Sequence, residues 1–548
     1  PVEFKNYRTV LVGKENSDTR SIAENNELLF FTNYVSENGQ VKSWLHEHDT
    51  RYNCYNESEE IAGGVPVNRP NIFVKEMNPY EIKTQAGTLH YNMKWLDNDK
   101  GLQKKRAFLK SIWLQTCAYL YKEERIRPEE LRWSYPGSMM EADSAELEKI
   151  FEELCRMTPI TGGRQPQLGR ELTTEAEAVC SFALSRDFGL NKDNMFLGID
   201  VGGSTSDILL LAKDQNNGNK SSLYRESSVR IAAGVFFNAV IKSESFRQAL
   251  VSFHEGRKTK VFVANIKEVL TQPSKAPYYL NSIFDQLKSE SDYEEFYSSI
   301  NNNSRFVFTI PAYVTGLLLF YSGMLIGKTI KTEKMEHIRR VDVLSFGKGG
   351  RLFHWLRSSA TQRVTNEYYE KCLNAGVNLV TEKNLEVKYR DEIEINNKAE
   401  VAMGLVDAKE LIKKQQEVDS DICGETGVKY IMNDGTPKEL QTEDELTGEY
   451  FANEMNKFDF SGVTNFEKFM EIFIDFVSQK TRLYSQADNL REELADLPNR
   501  ITSYICNNDD EYRKARRTQG DDFTYHQPII IAEGACFLDT LIKKAFNQ

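Results

Sequence analysis

Two acids and a run of small residues make the most chemically suggestive stretch of this chain. In Gly198-Ile-Asp-Val-Gly-Gly-Ser-Thr-Ser-Asp207, two apolar runs flank a turn that lacks bulky side chains. Adjacent glycines let backbone N–H groups approach and surround phosphate oxygens, and the hydroxyls of Ser204, Thr205 and Ser206 can add donors. Asp200 and Asp207 flank that cradle on what read as paired strands, so both can face the same anion. Carboxylates in such a place hold a hydrated magnesium ion that keeps most of its waters. A Gly-rich hairpin with two solvent-facing acids is the plain alternative, and the full pattern favours a polyphosphate over it.

The elements that must hold this loop can be read along the chain. Met195 to Val201 and Asp207 to Ala212 are apolar runs joined across the turn, and Asp214-Gln-Asn-Asn-Gly-Asn219 makes a second turn into Ser222 to Ile231. Three antiparallel strands are predicted. A helix from about Thr174 to Arg186, with Ala178, Val179, Phe182 and Ala183 on one side, leads into them. Upstream, Leu109, Ile112, Trp113, Thr116 and Leu120 recur at helical spacing. Leu131 to Tyr135 reads as a strand, and Leu147, Ile150, Phe151 and Leu154 line a helix opened by Asp143 and Glu146. Residues 236 to about 339 are predicted to be mainly helical, followed by a buried strand, Val341 to Ser345, that runs into Gly347-Lys-Gly-Gly350 and another helix. The C-terminal part reads as helical apart from a hairpin near Val428 to Gly435.

Composition narrows the function classes. The chain has 548 residues, 40% of them hydrophobic and 27% charged, which fits a folded globular protein of several subdomains. A formal net charge of -12 argues against nonspecific binding to nucleic acid or to an anionic membrane. The apolar stretch Tyr313 to Gly327 is interrupted and short of the roughly 20 residues that span a bilayer, so it reads as a buried helix. No secretory signal pattern opens the chain, and a cytoplasmic protein is expected. The eight cysteines lack paired short spacing and read as reduced core thiols. His46-Glu-His48-Asp49 reads as a solvated loop with no zinc assigned, and Arg513-Lys-Ala-Arg-Arg517 as charge pairing within a helix.

The hairpin resembles the second phosphate loop of the actin and heat-shock-chaperone ATPase superfamily, D-x-G-G-[GS]-T-x-D, at Asp200, Gly202, Gly203, Ser204, Thr205 and Asp207. Within that superfamily the seventy-kilodalton chaperone ATPase domain is the most similar in motif. Thr174-Glu-Ala-Glu-Ala-Val179 resembles its N-E-P-x-A-A segment with Ala176 in place of proline, which makes Glu175 the residue near the attacking water. Ser228-Val-Arg-Ile-Ala-Ala-Gly234 is similar to the glycine element after the hairpin, with Gly234 near a phosphate. Val341-Asp-Val-Leu-Ser-Phe-Gly-Lys-Gly-Gly-Arg351 looks like the adenosine motif, where Gly347, Gly349, Gly350 and Arg351 would line the nucleoside with Lys348 nearby. Asn397 to Gly404 resembles the helix that closes this site. The resemblance covers roughly Gln85 to Leu405.

What the resemblance implies is an α/β, two-lobed actin-like ATPase fold, with a ribonuclease H-like sheet in each lobe and a nucleotide cleft between the lobes. Residues 1–190 would form the first lobe. Residues 191–548 would form the second, with the phosphate hairpin, a helical insertion at about 236–339, the adenosine motif and a helical C-terminal part. The expected ligands are ATP or ADP with Mg2+ held by Asp200 and Asp207, and lobe closure would regulate a protein partner. The family's first phosphate loop, D-x-G-T-[TS], has no counterpart, since Val10-Leu-Val-Gly-Lys14 lacks both acid and threonine. The opening Pro1-Val-Glu-Phe suggests a piece of a longer protein; a degenerate ATPase is the other explanation. Val41-Lys-Ser-Trp-Leu45 makes Lys42 the candidate for the family's phosphate-side lysine. A nucleotide-binding pseudo-ATPase or an actin-like filament scaffold is the alternative, and a sugar or acid kinase of the same fold a third.

Overall fold

The computed structural model describes residues 51–53, 71–73, single positions between 102 and 113, and 128–546 apart from 138, 140, 159–164, 170–172, 186–189, 204, 214–220, 258–259, 272–294, 296–298, 300–305, 357–361, 391–398, 408–420, 432–434, 445–457, 461–462, 482–486 and 509–526. Contacts divide the chain into two compact units. The first comprises Pro1–Trp133, Met139–Leu172 and Val251–Phe296, the second Ser134–Ser138, Thr173–Leu250 and Tyr297–Gln548.

In the first unit, helix α1 (Glu141–Met157) lays Ile150, Leu154 and Cys155 against Trp113 and Leu131. The Trp113 indole donates to Thr158 Oγ1 at 2.7 Å, which satisfies the polar end of an otherwise apolar cluster. Glu130–Leu131 runs parallel to Gln167–Leu168, and Arg51–Asn53 pairs antiparallel with Asn71–Phe73. These short strands are the sheet content of this unit among the described residues.

The second unit is mixed α/β. After α2 (Glu175–Ser185) come strands β1 (Asn194–Val201), β2 (Ser206–Lys213) and β3 (Ser221–Val229). Helices α3 (Ala233–Val240), α4 (Glu244–His254), α5 (Lys260–Leu270) and α6 (Phe306–Thr332) follow in sequence, α5 and the last turn of α4 lying in the first unit. Next come β4 (Arg340–Phe346), α7 (Arg351–Leu356), α8 (Gln362–Asn378), β5 (Glu386–Tyr389) and α9 (Ala399–Asp407). The sheet order is β5-β4-β1-β2-β3, with β4 parallel to β1 and β5, and β2 antiparallel to both its neighbours. β1 is buried throughout and β2 nearly so, as near-continuous apolar strands covered on both faces must be. On one face Phe196, Leu209, Leu211, Leu344 and Phe346 pack with Ala176, Val179, Cys180 and Phe182 of α2, and Val401 of α9 joins them. Asp342 lies buried where the sheet begins, ion-paired to Arg340 and Arg390 and accepting from the Asn194 amide.

A small sheet (β6, Lys429–Ile431; β7, Pro437–Glu439; β8, Phe458–Asp459) includes the antiparallel hairpin expected near Val428. The rest is helical: α10 (Thr464–Thr481), α11 (Ala487–Ala495), α12 (Leu497–Asn508) and α13 (Ile529–Phe546). Helix α6 is long and apolar enough to cross a membrane by length and composition, yet its apolar window is wholly buried inside the protein. A helix apolar on all sides needs such surroundings. Phe469 of α10 lies 5.7 Å from its Phe320, and Tyr313 donates to the Gly534 carbonyl of α13 at 2.8 Å. Three of its buried hydroxyls are met within the helix: those of Thr315, Ser322 and Thr329 donate to the carbonyls of Pro311, Leu318 and Leu325.

Helices α6 and α8 cross almost backbone to backbone. A β-carbon at Gly323 would collide with the Leu373 carbonyl, and one at Gly376 with the Phe320 carbonyl. Backbone cannot give way as a side chain can, so Gly323→Ala is expected to force the helices apart and cost roughly 1–3 kcal/mol. Urea denaturation of variant and parent measures this; an unchanged midpoint would mean that the crossing is looser than described. Cys155, Cys180, Cys372, Cys423 and Cys536 are buried free thiols, as their apolar neighbours predict.

Candidate functional site

The site is built at one edge of the five-stranded sheet. Because β1 and β4 are parallel, their carboxyl ends lie on the same edge, with Phe346 opposite Asp200. The turn Gly202–Thr205 and the turn Gly347–Gly350 therefore leave the sheet side by side, where ligands of open α/β sheets are commonly met. Asp200 and Asp207 are direct partners across the β1–β2 pair, and Ser228 of β3 is the partner of Asp207 on its other side. Directly opposed residues project from the same face, so the two carboxylates and the Ser228 hydroxyl form one row.

Three glycine-bearing segments converge on that row. The Gly202 N–H donates to the Thr205 carbonyl at 2.8 Å and closes the hairpin turn. The start of α3 grips the turn from outside, the Ala233 N–H donating to the Gly202 carbonyl at 3.1 Å and the Gly234 N–H to the Gly203 carbonyl at 3.0 Å. A β-carbon on Gly234 would strike the Gly203 carbonyl. Gly347 takes φ +70, a left-handed conformation, and a β-carbon there would strike the Asp200 carboxylate. One on Gly349 would stand 2.5 Å from the Val201 carbonyl and 2.7 Å from Ala233 Cβ. The hairpin, the start of α3 and the Gly347 turn, distant in sequence, thus share one small volume. Gly203 is exposed, with open space where its β-carbon would be.

Several donors that the sequence offers to a phosphate are used within the fold. The N–H groups of Gly202 and Gly234 bond to the turn itself, and the Ser206 hydroxyl donates to the Ile231 carbonyl at 2.6 Å, latching β2 to the end of β3. Thr205 is buried and its carbonyl closes the turn. Gly350 lies against Ser345. Ser204, Lys42 and the side chains of Lys348 and Arg351 lie outside the described residues.

The two glutamates at the start of α2 have different parts. Thr174 and Glu177 form a reciprocal cap: the Thr174 N–H donates to Glu177 Oε2 at 2.7 Å, and the Glu177 N–H to Thr174 Oγ1 at 3.1 Å. Glu177 is thereby structural. Glu175, half-buried, acts electrostatically on Asp207.

Sequence predicts both aspartates at a solvent-filled cleft; the structure sets them deeper, Asp200 at 8% and Asp207 at 2% exposure. Burial is the main cause that raises the Asp207 pKa well above the ordinary aspartate value, reinforced by the charges of Glu175, Asp200 and Glu226 and opposed by a hydrogen bond from Ser228. Asp342 is the informative contrast. That acid, equally buried, is held by two arginines. The charges that act on Asp207, those of Glu175, Asp200 and Glu226, are all negative.

The donor chemistry can be tested against magnesium and a polyphosphate. Among the described residues no group of three or more His, Cys, Asp or Glu side chains is arranged to hold a metal. Magnesium rarely needs such a cage, since one or two carboxylates, waters and phosphate oxygens satisfy it. Two opposed aspartates beside an open glycine turn fit that mode. Ser228 and Glu226 are the site residues that sequence reasoning missed. The available signal was β3 itself, whose Arg225-Glu-Ser-Ser228 is polar yet belongs to a buried sheet, and all four residues are buried.

No protein-family model matches the chain, and no curated protein does. Among solved structures it is similar to MreB5 of Spiroplasma citri bound to ADP, at 14% identity and a TM-score of 0.18, over 33% of this chain. The match spans 40% of the length of that structure, and a likeness of this size carries no argument about the ligand or activity of the present chain.

Proposed function

We propose that this chain binds ATP or ADP with magnesium at the edge shared by the Gly202 and Gly347 turns, and that it hydrolyses the triphosphate. The observation that carries this reading is the meeting of the hairpin, the start of α3 and the Gly347 turn beside two opposed aspartates. Asp200 and Asp207 would hold hydrated magnesium, and the turn Gly202 to Ser206 would face the phosphates, with the N–H groups not spent inside the fold as donors. Bound magnesium would draw charge from the phosphate oxygens. Gly347, Gly349, Gly350 and Arg351 would line the nucleoside, with Lys348 and Gly234 beside the phosphates and Lys42 as the phosphate-side lysine. Glu175 orients a water in line with the terminal phosphate.

By the motif resemblance the fold would be actin-like, with residues 1–190 and 191–548 as lobes around the nucleotide and the mixed five-stranded sheet as the ribonuclease H-like sheet of the second lobe. Closure of the lobes would control a protein partner in the cytoplasm, as in the heat-shock-chaperone ATPases.

Calorimetric titration with ATP, with and without magnesium, tests the site. Asp207→Asn and Asp200→Asn are each expected to lose about tenfold or more of the affinity gain that magnesium brings, the scale of one charged contact. Asp207→Asn is also expected to melt higher than the parent, because one of several mutually repelling buried acids is gone. Weaker function with greater stability marks an acid kept for its ligand. Equal magnesium dependence in variant and parent would end the assignment.

A further inference from the structure

We infer that Ser228 is a positioning residue for the proposed magnesium–nucleotide site, acting through Asp207; the inference rests on the function proposed above. Ser228 and Asp207 are opposed across β2 and β3, and the serine hydroxyl donates to Asp207 Oδ1. The serine is buried at 6% exposure, a place in a sheet where an apolar β-branched residue would be favoured on packing grounds alone. Its position is confined from outside: a β-carbon at Gly137 would stand 3.6 Å from Ser228 Cβ and 3.1 Å from Glu226 Oε1. The acids around Asp207 all repel its carboxylate, and the hydroxyl is the hydrogen bond that opposes them. One oxygen is thus fixed by β3, which sets the plane of the carboxylate and leaves the second oxygen for a cation beside Asp200. Ser227, next in the strand, donates from the other face to Asp421 at 2.5 Å, so the strand is anchored on the side away from the site.

The test is a double-mutant cycle on the full 548-residue chain, read by calorimetric titration of ATP with and without magnesium. Ser228→Ala is expected to reduce the magnesium-dependent gain in affinity about tenfold and to change magnesium-free affinity by less than about twofold. In the Asp207→Asn background the same substitution is expected to have no further effect. An undiminished gain in Ser228→Ala, an equal fall in magnesium-free affinity, or additive losses in the double variant overturns the positioning role and leaves the proposed function standing. A parent protein without magnesium-dependent nucleotide binding overturns both.

Discussion

At pH 8, Glu533→Gln is expected to be more resistant to heat and urea than the parent protein, and near pH 4 to be indistinguishable from it. Glu425 and Glu533 are both fully buried, and the charge of Glu425 acts directly on Glu533, so the two buried acids cannot both ionise without cost and one of them keeps its proton. Glu425 is the better carboxylate. Its Oε1 accepts the Thr426 N–H, and its two oxygens cap α10 by accepting the Asn465 N–H at Oε1 and the Phe466 N–H at Oε2. Glu533 on α13 meets no donor of that kind at either oxygen, so it is the proton holder. Burial raises its pKa well above the ordinary glutamate value, with further rises from Glu425, Cys536 and Glu467. Below the ordinary value both folded and unfolded chains hold this proton, and stability does not depend on it. Above that value the unfolded chain releases the proton while the folded chain keeps it, so stability falls as pH rises until the folded pKa is reached. The loss approaches about 1.4 kcal/mol per pH unit. Glutamine keeps the shape and the donor without a proton to lose, so the difference between variant and parent should grow at that slope. A constant difference across the range would mean that the pair is not protonated. Glu425→Gln is expected to behave oppositely and to weaken the fold, because three backbone N–H groups, two of them capping α10, lose their charged acceptor.

The hairpin was legible because its chemistry is local: a glycine turn between two apolar runs can be little else, and the register Asp200 to Asp207 follows from the turn. The neighbour of β1 was not legible in this way. β4 lies about 140 residues further on, and only the order of motifs hinted that its glycines would reach Asp200. The edge strand β5 escaped because Glu386 to Tyr389 is short and half exposed, with no apolar run to mark it. Glu177 could have been separated from Glu175 at once, since Thr174-x-x-Glu177 is a capping box in plain sequence. The Ser206 hydroxyl and the depth of the aspartates could not, because both depend on what covers the sheet: the end of β3 in one case, α2 and α9 in the other.

If Glu175 orients the attacking water, Glu175→Gln should leave nucleotide affinity within about threefold of the parent and lower the hydrolysis rate by roughly 100-fold, the scale of a positioned acid–base group. Position favours this residue over its neighbour: Glu177 is committed to the cap of α2, whereas Glu175 stands at the first helical position and acts on Asp207. Glutamine preserves size and can still accept and donate one hydrogen bond, so binding and turnover should separate. A structural role predicts the reverse pattern, with a lower melting temperature and binding and turnover falling together. Single-turnover hydrolysis and calorimetry on the same preparations decide between them. If the parent turns over ATP and the glutamine variant matches its rate, Glu175 is a helix-start residue and the water must be oriented from elsewhere. If the parent binds magnesium–ATP and turns none over, the aspartate row serves binding alone and the pseudo-ATPase reading replaces hydrolysis.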